Sequence, residues 1–100
     1  MASIKNEIVI LATARAKPGK EAELERALRD AAEPTRAQQG CLRFELYRSA
    51  QDPAVITAFE HWASEEDHDR HLQGDHVKRL VARFDGILAV RPEFVNLKPL

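Results

Sequence analysis

With a single cysteine, Cys41, this chain cannot close an internal disulfide, so packing and hydrogen bonds must hold its fold. Net charge is nearly absent as well. Fifteen Lys and Arg against sixteen Asp and Glu leave −1, too weak a field to draw in nucleic acid or an anionic membrane. The longest apolar stretch, Ile8 to Leu11 plus Ala12, falls far short of the roughly 20 residues that span a bilayer. The opening residues Met1 to Glu7 lack the apolar core of a secretory signal, and the expected compartment is the cytoplasm. No glycine-rich phosphate loop of the GxGxxG or Walker type occurs, and no HExxH, facial triad or Cys/His cluster. Flavin and nicotinamide are therefore unsupported, and the metal reading that His68, His71 and His76 invite, with His68 and His71 three apart on one helix, lacks a motif to carry it.

What is present is 44% hydrophobic and 31% charged residues in a length of 100. That balance predicts one globular domain over 1–100, small enough that pairing into a homodimer would supplement its thin stability margin. Ile8 to Ala14 is β-branched and almost wholly apolar, which predicts a central strand covered on both faces. After the break at Lys17-Pro18-Gly19-Lys20, Leu24, Leu28, Ala31 and Thr35 share one helical face, with Glu25–Arg29 and Arg26–Asp30 paired outside. Pro34 predicts a tightened end near Ala32 and Glu33 before the chain turns at Gly40.

Leu42, Phe44 and Leu46 alternate with Arg43, Glu45 and Tyr47 in a second strand, and Ala50-Gln51-Asp52-Pro53 turns it into a hairpin. In the third strand Val55, Thr57, Phe59 and His61 take one face, while Ile56, Ala58, Glu60 and Trp62 take the other. Ser64 then caps a helix from Glu65 to about Gln73. Gly74 breaks it, and Asp75 can cap a second segment striped by Val77, Leu80, Val81 and Phe84. Gly86 opens a long strand pattern, Ile87 to Leu97, in which Pro92 requires an edge or a bulge, an edge suited to meeting a neighbouring subunit. The order β-α-β-β-α-β fits an α+β, ferredoxin-like sandwich.

The chemistry concentrates around Phe59-Glu60-His61-Trp62, followed by His71 and His76. A base, an aromatic wall and carboxylates near one point make a small pocket for an aromatic ligand. His71 is the candidate general base, with Asp67 four residues before it and Asp75 four after to orient the imidazole and raise its basicity. The plainer alternative is a histidine that caps the helix break or faces water. Glu60, at an inward strand position beside Trp62, should have its pKa raised by desolvation unless His71 or Arg36 pairs with it. It would hold the histidine or take a proton itself; a structural ion pair bracing sheet to helix competes with that reading. Trp62 offers a flat stacking face, although a lone Trp is also ordinary core. Cys41 reads as a small buried residue rather than a nucleophile.

Several segments together resemble one family: Pro18-Gly19-Lys20 before a helix, Thr35-Arg36 followed by Gly40-Cys41-Leu42 and Phe44-Glu45-Leu46, then Phe59-Glu60-His61-Trp62, His71 and His76. Over nearly its whole length the chain resembles the antibiotic biosynthesis monooxygenase domain family, the dimeric α+β barrels. The resemblance implies two ferredoxin-like protomers with their sheets back to back, each holding a ligand pocket between sheet and helices. Activity is not chosen by the fold, since the family includes monooxygenases, haem-degrading enzymes and an isomerase of a small phosphorylated compound. Haem-degrading members are similar at Trp62, but they carry an Asn, a second Trp and a haem-ligating His where this chain has Ala12, His71 and Leu80. Haem degradation is thereby disfavoured. The implied activity is oxidation of a hydroquinone or a polyphenolic, polyketide-type aromatic by O2, with no cofactor and no metal. His71 and Glu60 would be catalytic, and Trp62, Phe44, His76 and Arg36 would bind substrate, with Phe59 a further candidate wall. The alternatives are an isomerase using the same proton-transfer groups on a small carbonyl compound, and a non-catalytic dimeric ligand-binding module.

Overall fold

Seven elements follow one another in the computed structural model, which describes residues 6–100. They are β1 (Ile8–Arg15), α1 (Glu21–Arg36), β2 (Cys41–Arg48), β3 (Val55–Trp62), α2 (Glu65–Leu72), α3 (Asp75–Phe84) and β4 (Glu93–Leu97). The strands lie in the order β2-β3-β1-β4 and every neighbouring pair is antiparallel. This is the ferredoxin-like α+β arrangement. β1 runs inside the sheet as expected, with Ile8 opposite Trp62 and Arg15 opposite Val55 in β3.

Within one chain only one face of β1 is fully covered. Ile8, Ile10 and Ala14 are buried, whereas Val9, Leu11 and Thr13 are half-buried. The helices pack on the face that Ile10 shares with Ile56, Ala58, Glu60 and Trp62 of β3. Period-two alternation cannot reveal this where both faces are apolar. The buried residues form separate groups. Ala14, Leu24, Leu28, Ile56 and Ile87 make one, Ile8, Ile10 and Trp62 a second, and Ala32, Phe44 and Ala58 a third.

Helix α1 buries Leu24, Ala27, Leu28, Ala31, Ala32 and Thr35 and carries Pro34 in its last turn. Its outer pairing differs in part from helical spacing. Glu25 takes both Arg29 and Arg48, and Asp30 pairs with Arg83 of α3 rather than with Arg26. Interhelical reach has prevailed over the weak pull of an exposed i,i+4 pair. In β2 the register shifts between Cys41 and Arg43, and Leu42 is exposed instead of facing inward with Phe44. A bulge of this kind re-aims side chains at a strand end.

Ser64 caps α2 as the sequence indicates, its hydroxyl accepting from the Asp67 N–H at 3.1 Å. Ser64→Ala is expected to lower stability by about 0.5–2 kcal/mol, read from the midpoint of urea unfolding followed by circular dichroism. At α3 the cap is Gly74, and Asp75 is the first helical residue. A Cβ at position 74 would stand 2.9 Å from Cε1 of His76 and 3.2 Å from the His71 carbonyl oxygen, so a side chain there would press the His76 ring and the turn aside.

The last strand is shorter than its pattern. Ile87 is buried, Leu88 makes one isolated bridge to Ala16, and the ladder begins only at Glu93. Pro92 has no N–H to give to a ladder, so pairing resumes after it, at the edge of the sheet. Among the described residues no helix is long and apolar enough to cross a membrane.

Candidate active site

A cavity of about 130 Å³ opens between the helix-covered face of the sheet and the helices. Phe44 and Glu60 from the sheet, Thr35 from α1, His71 from α2, Phe84 from α3 and Phe94 from β4 are among its walls. Most of the remaining lining is aliphatic. Phe44 owes its place to the alternation that resumes after the β2 bulge, and Glu60 to the strict alternation of β3. His71 arrives from the one buried position of α2, a full turn before the Gly74 break.

Glu60 and His71 are 7% and 6% exposed, so both ionisable groups are almost out of water. His71 Nε2 lies 3.9 Å from Glu60 Oε1, close enough to interact electrostatically and too far for a hydrogen bond. The same carboxylate oxygen accepts from the Trp62 indole N–H at 3.0 Å. Behind the imidazole the Trp62 ring stands with its centroid 4.7 Å away. On its other nitrogen, His71 donates Nδ1–H to Oε1 of Gln38 at 2.5 Å. An amide oxygen only accepts, so in this arrangement Nδ1 carries the proton and Nε2 has the lone pair.

Burial, together with the nearby His68 and His76, pushes the His71 imidazole down to about 4. Its ring centroid is 5.9 Å from that of His68 and 5.5 Å from that of His76. Burial raises the Glu60 carboxyl, opposed by the indole hydrogen bond. His71 is thus neutral at neutral pH. The expectation that a helical carboxylate raises its basicity is corrected: Asp67 is occupied by Ser64 and by Arg70 at 2.8 Å, and Asp75 opens the next helix. The helix break at Gly74 takes Asp75 off the His71 helix, and Asp67 is committed to its own partners.

The remaining predicted residues lie off the cavity. Trp62 is fully buried and braces Glu60 and His71 from behind. Arg36 is exposed and donates its Nε–H to the Phe44 carbonyl at 2.9 Å, on the outer side of the α1–β2 contact. His76 sits in a cleft with Asp30, Arg79 and Arg83, and its buried Nε2 has no hydrogen-bond partner among the described residues. Phe59 faces the opposite side of the sheet, beneath the Arg43 guanidinium at 4.9 Å. Cys41 is half-buried, and burial raises its thiol, with the charge of Glu60 adding to the shift. Among the described residues no group of three or more His, Cys, Asp and Glu is disposed to hold a metal ion. Sequence reading missed Gln38 and Thr35. Gln38 sits in an aperiodic turn, and nothing in that turn signals contact with a helix 33 residues on.

No curated protein matches the chain closely enough to count as a relative. Solved structures do match. A Pseudomonas aeruginosa protein superposes with a TM-score of 0.91 at 28% identity, covering 98% of each chain. A Mycobacterium tuberculosis protein gives 0.89 at 26% identity, over 94% of this chain and 95% of the other. A Caulobacter crescentus protein gives 0.90 at 28% identity, over 97% of this chain and 92% of its own. The sequence profile of one family runs from residue 7, beside β1, through residue 83 in α3, and so takes in Gln38, Glu60, Trp62 and His71. On that match, the chain belongs to the antibiotic biosynthesis monooxygenase family.

Proposed function

We propose that this protein is a cofactor-independent monooxygenase that oxidises a hydroquinone or related phenol with O2, acting as a cytoplasmic homodimer. The observation that carries this reading is a neutral imidazole whose Nε2 lone pair lies beside Glu60 in an otherwise apolar cavity. His71 takes the proton of a bound phenolic hydroxyl. The imidazolium so formed faces the Glu60 carboxylate, which the Trp62 N–H stabilises. The phenolate passes one electron to O2, and the resulting semiquinone and superoxide recombine at a ring carbon. Protonation by the imidazolium gives a hydroperoxide, and loss of water leaves a carbonyl. One oxygen atom enters the product and the other leaves as water, so the substrate supplies all the electrons. Apolar walls keep competing water from the reacting anion.

A cavity of about 130 Å³ is small beside the roughly 300 Å³ at which pockets for drug-sized ligands begin, which favours a compact ring. Support for the dimer comes from the half-buried back face of the sheet, Val9, Leu11 and Thr13, and from exposed Val95 and Leu97 on β4. Light scattering should return twice the 11.3 kDa chain mass; the monomer mass would remove the dimer.

The direct test is oxygen consumption by metal-stripped protein against a panel of hydroquinones and anthrone-like phenols. Protein-dependent uptake, one O2 per substrate and without accumulated peroxide, is the expected result. No uptake with turnover in the absence of O2 would favour an isomerase, and tight binding without turnover would favour a binding module.

A further inference from the structure

The α1–β2 connection, residues 37–40, is held with unusual thoroughness for a surface turn. Ala37 N–H donates to the Glu33 carbonyl at 3.2 Å and Gln38 N–H to that of Thr35 at 3.1 Å. Cys41 N–H donates back to the Gln38 carbonyl at 3.1 Å, and Ala63 N–H at the end of β3 donates to that of Gly40 at 2.8 Å. Gly40 has φ +84°, and a Cβ there would overlap the Asp67 side chain in the first turn of α2. Asp67 in turn is fixed by Ser64 and Arg70. The turn is therefore keyed to α1, β3 and α2 at once. From this turn Gln38 reaches α2, and among the described residues it makes the only hydrogen bond to the His71 imidazole.

We propose that Gln38 is the positioning residue for His71, its side-chain oxygen holding the Nδ1–H tautomer so that Nε2 presents its lone pair beside Glu60. This rests on the reading of His71 as the base. The other groups near the ring do not supply such an anchor. Glu60 stands on the Nε2 side at 3.9 Å, and His68 and His76 approach with ring centroids 5.9 and 5.5 Å away and no hydrogen bond. Without Gln38 the proton is free to sit on Nε2 and turn toward the Glu60 carboxylate. In that tautomer the nitrogen facing the cavity is a donor and takes no proton from a phenol. With its oxygen turned to the ring, an amide holds this tautomer without adding a buried negative charge beside Glu60, as a carboxylate would.

The test reads the tautomer directly. In ¹⁵N-labelled protein, the two imidazole nitrogens of His71 should show a protonated, pyrrole-type Nδ1 and an unprotonated, pyridine-type Nε2 at neutral pH. Gln38→Met, which keeps length and loses the acceptor, should shift the population toward Nε2–H and lower kcat at least about tenfold while KM changes little. Gln38→Glu, which keeps an acceptor oxygen, should restore the Nδ1–H tautomer. An Nε2–H tautomer in the unmodified protein, or an unchanged tautomer in Gln38→Met, would overturn the proposal. If Gln38→Met does not fold, the spectra of the unmodified protein and of Gln38→Glu still decide. Tautomers that respond as stated in a protein that oxidises no phenol would uphold the positioning role and discard the oxygenase reading.

Discussion

His71→Ala is expected to keep its fold and to lose oxygen-dependent turnover by about 10²–10⁴-fold, the range that a positioned general base contributes. Among the described residues no second imidazole lines the cavity. Thr35 commits its hydroxyl to the Ala31 carbonyl at 2.7 Å, and Glu60, the other ionisable wall, lies under the Trp62 N–H. The pH profile supplies a second readout. A base must be unprotonated to act, so activity is present above the pKa of His71 and lost below it. With burial holding that pKa at about 4, the acid limb should fall well below the 6.5 of an ordinary histidine. A limb near 6.5 would place the working base in water, away from the cavity, and unchanged turnover in His71→Ala would remove this residue from the mechanism.

Trp62→Ala should produce the largest loss of stability, about 3–5 kcal/mol. The ring is fully buried against Ile8 and Ile10 and beside the His71 imidazole, so truncation leaves a void that a sheet and helix cannot close. For a domain of this length the melting temperature should fall by roughly 4–8 °C for each kcal/mol. Trp62→Phe separates the two roles of the side chain. It retains much of the packing but removes the N–H that Glu60 accepts, leaving a buried carboxylate unsatisfied at a cost of about 1–3 kcal/mol. Because Trp62 is the only tryptophan, unfolding has to be followed by circular dichroism. A Trp62→Ala protein that melts within a few degrees of the parent would show that this cluster contributes little.

Much of the fold is legible because it is written in short-range chemistry. Strict alternation in β3 places Ile56, Ala58, Glu60 and Trp62 on one face, and the same four are buried. The Ser64 hydroxyl ahead of three acidic residues marks the start of α2, and Gly74 marks its break. The site is less legible. Sequence spacing puts Asp67 and Asp75 within a turn of His71, yet the imidazole binds Gln38 instead. Arg36 lies eight residues from Phe44 and grips its backbone on the outside of the fold. His76, one residue into α3, turns into a cleft beside Asp30.

By itself, then, the sequence determined the order of the elements, the inward face of β3 and the absence of a disulfide or a strong electrostatic field, since each follows from composition or from the period of the backbone. Tertiary structure alone decided that one face of β1 is left half-covered, that Trp62 braces the pair instead of lining the cavity, and that Gln38 anchors His71. The physical reason is common to all three. Backbone periodicity states which way a side chain points from its own element, whereas burial and hydrogen-bond partners depend on what another element brings to meet it.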